Sequence, residues 1–509
     1  MPNHILRAAM LGALLSLVAP AARAAEAGVD VDAFVKRDTF ESIKISPDGQ
    51  FFAATAPLAD RTVLAILQRA DNKVVATFNT GVNTHIAAFE WVNPTRVLIS
   101  TAEKFGQLDL PQLTGEIYGL STSGSAEILV GQRVGEMSTG SRIQRKQAET
   151  VAAFLVDDLP GDDRNVVIAV SPFSQDPFTR AELMDVDSGK RRTISRAPVR
   201  NARFSTDARG TVRFARGIGL DNVNKLYYRA GEASEWRLIN DESVTDRVEV
   251  PLGFSEDNAT AYLQVEQTTG PDAIVAFDVA SDTRRQVLRD DGTDPGQVIY
   301  RAGTGVPVGV VFQDGKPRSE FFDPKSPEAR LHRSLEAAFA GNAVDVTSST
   351  SDGGQALVHV YSDRNAGDFY IFDTVAKKAQ HVISSRTWFD PDKMAEMRPV
   401  SLAARDGMAL HGFLTIPAGS NGKGLPLVVM PHGGPFYVHD AWGFDTQGQI
   451  LAAAGYAVLQ VNFRGSSNYG RAFTQAGARQ WGGTMQDDLT DATRWAIREG
   501  HADASRICI

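Results

Sequence analysis

From Asp38 to about residue 390 the apolar positions come in short bursts separated by clusters of turn-forming residues. Ser46-Pro47-Asp48-Gly49 precedes the runs Phe51–Thr55 and Val63–Leu67, and Ser255-Glu256-Asp257-Asn258 precedes Ala261–Val265 and Ile274–Val279. Ser351-Asp352-Gly353-Gly354 precedes Ala356–Val360 and Phe369–Thr374 in the same way. Runs this short, rich in β-branched and aromatic residues and bounded by Gly, Pro, Asn and Asp, predict strands. Asp257 and Asp278 stand as far apart as Asp352 and Asp373, so the pattern repeats, with looser copies at Phe89–Ser100, Val166–Gly189 and Phe204–Tyr228. A turn, a strand, a loop and a second strand ending in Asp is how a β-propeller blade reads. One small sheet cannot bury both its faces alone, so neighbours stack around a channel. At ~40–50 residues per blade, residues 30–390 hold about seven. A β-sandwich array is the competing arrangement, and the turn-to-Asp interval favours the propeller.

One segment breaks the strand rhythm. Ser326-Pro327-Glu328, then Leu331, Leu335, Ala338 and Phe339, then Gly341, supply an N-cap, Pro at the first helical position, helical apolar spacing and a Gly stop. A packing helix inserted among strands is expected there.

Beyond residue 395 the pattern changes. Val400–Ala404 and Leu410–Ile416 flank Arg405-Asp406-Gly407 and predict a hairpin. Pro426–Met430 is an apolar run that stops at Pro431-His432-Gly433-Gly434-Pro435, and Gly455–Asn462 is a second that stops at Phe463-Arg464-Gly465-Ser466-Ser467-Asn468-Tyr469-Gly470. With a helix over Asp445–Ala454 between them, these form a βαβ unit whose Gly-rich loops gather at one end of a parallel sheet. A further helix is expected over Asp487–Glu499, and a further strand from Arg506. The lone cysteine, Cys508, lies in that apolar run and reads as a small core residue.

The N-terminus carries different information. Arg7, the apolar run Ala8–Ala19 and Ala22-Arg23-Ala24 make residues 1–24 a signal peptide, so the chain is expected to be exported, periplasmic or secreted, and free of the membrane after cleavage. At 509 residues the chain exceeds one core, and 43% hydrophobic with 22% charged residues is ordinary for a globular protein. A net charge of -9 without a long basic cluster argues against nucleic acid as a partner. Nothing in the pattern calls for a metal or another cofactor, and oligomeric state is not legible.

Taken in order, His432-Gly433-Gly434-Pro435, Asn462-Phe463-Arg464-Gly465-Ser466, Tyr469-Gly470, Trp481-Gly482 and Asp487-Asp488 make residues 395–509 resemble the first part of the α/β-hydrolase domain of the prolyl oligopeptidase family of serine peptidases, in its acylaminoacyl-peptidase-like branch. That family places a β-propeller before the hydrolase domain, which implies an N-terminal all-β propeller followed here by an α/β-hydrolase portion. The resemblance implies a serine-type peptidase acting on short or acylated peptides. Its nucleophile would sit in a Gly-x-Ser-x-Gly elbow after the strand begun at Arg506, with Asp and His later still. The 509 residues contain no Gly-x-Ser-x-Gly, so no catalytic triad residue is assigned, the hydrolase domain is expected to be incomplete, and the chain by itself is expected to be inactive.

The resemblance makes the Gly434 amide an oxyanion-hole donor and His432 and Gly433 supports of its loop. Arg464, in the neighbouring loop, is a candidate for binding substrate or, equally, for a structural salt bridge. Ser466 and Ser467 lack the elbow context and are not nucleophiles. Trp442, Tyr469 and Trp481 read as packing residues. Some relatives hold a peptide's amino end with adjacent glutamates, and this chain has no Glu-Glu dipeptide. A carboxylesterase with the same loop, and a propeller-based binding protein or pseudoenzyme, are the alternatives.

Overall fold

The structure, a computed structural model, describes residues 29–106, 109–132, 149–175 and 177–509, so the expected signal peptide lies outside the described residues. Seven antiparallel sheets follow one another, at 42–78, 84–130, 151–196, 203–241, 249–289, 295–321 and 343–384. Each is a simple meander with neighbouring strands paired in chain order. The expected β-propeller is what forms, with seven blades.

The repeated residues have a mechanical role. In blades one, five and seven the first hairpin turn is tied by a hydroxyl donating to an Asp two residues on: Ser46 to Asp48, Ser255 to Asp257, Thr350 to Asp352. The Asp that ends the third strand accepts from the next turn's amides, as Asp278 does from Ala280 and Ser281, and Asp373 from Val375 and Ala376. These side chains substitute for backbone acceptors in tight turns.

The blades pack through apolar seams. Phe214, Leu226 and Tyr228 of blade four meet Phe254, Leu263 and Phe277 of blade five, and Phe40, Ile43, Ile45 and Phe52 beside and within blade one meet Leu357, Phe369 and Ile371 of blade seven, which closes the ring. Blade six has three strands where the others have four. The expected helix, α1 (Pro327–Ala338), follows its third strand, with the Ser326 hydroxyl accepting from Ala329 N–H. Ala329 packs on blade six and Leu335 on blade seven, so α1 takes the place of the missing strand. The channel holds a cavity of about 840 Å³, lined in part by Lys44, Glu90, Asp158, Arg301 and Asp345.

The C-terminal sheet contains β1 (Glu396–Ala403), β2 (Ala409–Ile416), β3 (Leu425–Val429), β4 (Ala457–Asn462) and β5 (Ala502–Cys508), in the order β1-β2-β4-β3-β5. The first three in that order are antiparallel, whereas β4, β3 and β5 run parallel. Between them lie α2 (Thr446–Ala453), α3 (Arg471–Ala476) and α4 (Thr484–Arg498). The last starts one turn earlier than the sequence indicates. Every residue of β4 is buried, as befits a central strand. Cys508 is exposed, contrary to expectation, because β5 is the edge strand and no described residue covers its second half. No described helix is long and apolar enough to cross a membrane.

Candidate active site

Both Gly-rich loops leave the same end of the parallel pair β3 and β4 and are laced together. Val438 O accepts from Ser467 N–H at 3.0 Å, and His439 Nδ1 lies 2.9 Å from Ser467 Oγ. Asn462, fully buried at the end of β4, accepts from Asp440 N–H and donates through Nδ2 to Asp440 O. The same amide nitrogen lies 2.7 Å from Tyr469 OH, whose ring stacks on His411. Polar side chains on a buried strand are costly unless paired, and here they pin the loop's exit.

Gly434 sits at the crest with φ 116°, a conformation that L side chains rarely adopt. A Cβ there would lie 3.3 Å from both Phe436 N and Val438 Cγ2. Gly433 faces open space on its side-chain side. His432 lies beneath, with Nδ1 2.8 Å from Gly433 O and Nε2 2.8 Å from Ser466 Oγ, its ring stacked on Phe463 at 4.6 Å. His432 thus bridges the loop that carries Gly434 and the loop that carries Ser466. Tyr437, 91% exposed, projects from the first of these loops, and Trp481, 74% exposed, lies between α3 and α4, so Trp481 is not the packing residue expected from the sequence.

Arg464 is committed elsewhere. Its Nε and Nη2 donate to both oxygens of the fully buried Asp488, and its Nη1 donates to Asp406 at 2.8 Å. Its own N–H also donates to Asp488. These bonds drive the guanidinium further above its ordinary range and hold the Asp406 carboxyl below its own. Of the two roles open to Arg464, the geometry matches the salt bridge, which ties α4 and the β1–β2 hairpin to the second Gly-rich loop.

The propeller grips this loop from the other side. Asp294 N–H donates to Asn468 O, and its carboxylate accepts from Gly470 N–H at 3.0 Å and from Asp272 N–H at 2.8 Å. Gly470 has φ 84°, and a Cβ on it would lie 2.1 Å from Gly270 O in blade five. Arg471 donates to Glu242, Glu266 and Asp246. On the linker side Asp363 accepts from Met397 N–H, while Gln449 Nε2 donates to Asp363 O. Burial, then the charge of Asp294, pushes the Asp272 carboxyl up to about 6, and burial raises Asp440. Among the described residues no cluster of three His, Cys, Asp or Glu is arranged to hold a metal. Sequence reading missed Asn462, Asp294 and the role of Ser466. The Asn-x-Arg-Gly-Ser run was a signal for two of them, and Asp294 had none.

Comparison with known proteins agrees with the resemblance read from these motifs. Residues 442–509 match the model of the prolyl oligopeptidase family. Dipeptidyl aminopeptidase BIII of Pseudoxanthomonas mexicana is 31% identical over 334 residues, which cover 64% of this chain and 48% of that protein. The chain spans about half the length of the curated relatives it matches over more than one of its parts. Among solved structures, one of two prolyl endopeptidases aligns with TM-score 0.64 at 13% identity, over 92% of this chain and 68% of that one. The acylaminoacyl peptidase of Pyrococcus horikoshii aligns with TM-score 0.57 at 14% identity, over 94% and 74%. At such identities the structures establish the shared fold of propeller plus α/β-hydrolase portion.

Proposed function

Because this chain resembles the prolyl oligopeptidase family, with an α/β-hydrolase portion docked on a β-propeller, we propose that it serves as an exported serine-type peptidase acting on short or acylated peptides. The observation that carries the reading is the Gly434 amide, presented at the end of a parallel strand on a loop tied at His432, Val438, His439 and Asp440. Attack on a peptide carbonyl creates an oxyanion, and donors fixed in advance stabilise it more than water does. Gly434 N–H is one such donor; the second, by family resemblance, is the amide after the nucleophile. The attacking Ser and its Asp and His partners are to come from an elbow and loops that the 509 residues do not contain. By family resemblance the propeller restricts entry, which favours short peptides over folded proteins. Dipeptide release is a second reading, favoured by the name of the Pseudoxanthomonas relative, although the adjacent-glutamate signature is absent.

The test compares two forms with fluorogenic dipeptide and acyl-peptide substrates. The 509-residue chain is expected to give no turnover, and a chain extended through a Gly-x-Ser-x-Gly elbow is expected to give it. In the extended form Gly434→Val should lower kcat by roughly a hundredfold, the effect of losing an oxyanion donor. Unchanged kcat in a folded variant removes Gly434 from the site.

A further inference from the structure

Gly433 and Gly434 share one planar trans peptide unit, so the carbonyl of the first and the N–H of the second point in opposite directions. Whatever holds the Gly433 oxygen aims the Gly434 N–H. His432 Nδ1 holds it at 2.8 Å. A carbonyl only accepts, so this bond requires a hydrogen on Nδ1 rather than a lone pair. The acceptor-only carbonyl thus selects the Nδ1–H form, and the ring's other nitrogen needs a partner that can serve it. That partner is Ser466 Oγ, 2.8 Å from Nε2.

We propose that Ser466 is a positioning residue that holds the His432 ring in register, so that its Nδ1–H stays on Gly433 O and, through it, the Gly434 amide keeps the angle the oxyanion requires. The second half of this statement rests on the reading of Gly434 given above. A hydroxyl suits the task because it both donates and accepts. Against a singly protonated imidazole it turns its hydrogen to Nε2. Against a doubly protonated one it accepts from Nε2 and turns its hydrogen to Phe463 O, 2.7 Å away. In both cases Nδ1–H stays on Gly433. In the opposite tautomer the Nδ1 lone pair would face the Gly433 oxygen, and two acceptors at that distance repel, turning the peptide unit away.

The surroundings leave Ser466 little choice. It has no exposed surface, its N–H donates to Phe463 O at 3.0 Å, and its carbonyl accepts from Thr474 Oγ1 at 3.2 Å. The Phe463 ring lies 16° from parallel with the imidazole and fixes its plane. The other titratable groups facing the imidazole, His439 and Asp440, bond elsewhere, to Ser467 and Gln460.

The experiment is ¹⁵N–¹H correlation through two bonds on the 509-residue chain labelled at histidine, with His432 assigned from its loss in His432→Gln. The wild-type chain should show the Nδ1–H pattern whenever the ring is neutral. Ser466→Ala should keep that pattern, since Gly433 O still selects it, but unpin the ring, so that the Nδ1 proton exchanges with solvent roughly tenfold faster, and Ser466→Cys, nearly equal in volume, carries the test where the alanine variant does not fold. An Nε2–H signal in the wild type, or unchanged exchange of the Nδ1 proton in the folded variants, overturns the proposal. In a peptidase-competent chain Ser466→Ala should lower kcat about tenfold with KM held, because a misaimed donor acts on the transition state alone. Faster Nδ1 proton exchange with unchanged kcat would sever Ser466 from catalysis, whereas absent turnover in the unsubstituted extended chain would strike the peptidase reading and leave the exchange result to decide the role of Ser466 on His432.

Discussion

The seams between blades and the joint between propeller and hydrolase portion are built from different materials. Between blades four and five, Tyr228 meets Phe277 edge-on at 5.8 Å and Phe214 meets Phe254 at 5.3 Å, all four of them buried. Among the described residues the joint has no buried apolar cluster like these, since that of the hydrolase portion contains no propeller residue. It is made of Asp294, Asp272, Asp363 and Gln449, of Asn468 donating to Gln313 O, and of Arg471 among three carboxylates. Apolar area removed from water stabilises without regard to angle, at ~25 cal/mol per Å². A hydrogen bond contributes only about 1 kcal/mol net, because water offers the same bond once the surfaces part. The blades are thus welded and the joint is fitted: the first resists opening, while the second holds orientation and can be rewetted at small cost.

The largest expected effect breaks a weld. Phe277 is fully buried in the seam with blade four, and Phe277→Ala should cost about 3–5 kcal/mol of stability through lost burial and a cavity. Denaturant unfolding followed by tryptophan fluorescence measures it. If the seams were merely fitted, the loss would fall under about 1 kcal/mol and the contrast would fail.

Much of the weld was legible in the chain. Strand length, the hydroxyl-to-Asp turns and the third-strand Asp are local features, and each acts on residues within a few positions, as Ser255 on Asp257 and Asp278 on Ser281. The same holds for Ser326-Pro327 at the start of α1. The joint was illegible for a matching reason. The bond between Gly470 and Asp294 spans 176 residues and that between Gln449 and Asp363 spans 86, so no window of sequence contains both partners. Arg464 was ambiguous on the same ground, since Asp406 and Asp488 lie far from it in the chain. Cys508 and Trp481 were misread because apolar character predicts burial only where another element arrives to cover it.

A second prediction titrates the joint. The Asp272 carboxyl, raised to about 6 by burial and by Asp294, binds its proton more tightly in the folded state than in the unfolded one. Its favourable contribution is therefore complete below the ordinary carboxylate range and is lost as pH rises through about 6. Asp272→Asn keeps an oxygen for Gln264 Nε2 and removes the charge. The variant should be more stable than the wild type by on the order of 2–3 kcal/mol near pH 8, with the difference vanishing toward about pH 4. Thermal unfolding across that range checks it, and parallel pH curves would show that the carboxylate pair is not under strain.

The smallest expected effect separates fit from adhesion. Arg471 Nη1 donates to Glu242 at 3.0 Å and Glu266 at 2.8 Å, and Nη2 donates to Asp246 at 3.0 Å, with part of the cluster open to solvent. Arg471→Ala should loosen the joint by about 1 kcal/mol, the scale of partly exposed ion pairs. The readout is faster amide exchange at Gly470, Asp272 and Asp294, whose N–H groups bond across or beside the joint, with exchange in the blade strands unaltered. Because exposed charges are screened, the wild-type chain at ~1 M salt should approach the variant. If exchange rose equally in the seam around Phe254 and Phe277, joint and blades would open as one cooperative unit, and the distinction between them would describe chemistry without describing motion.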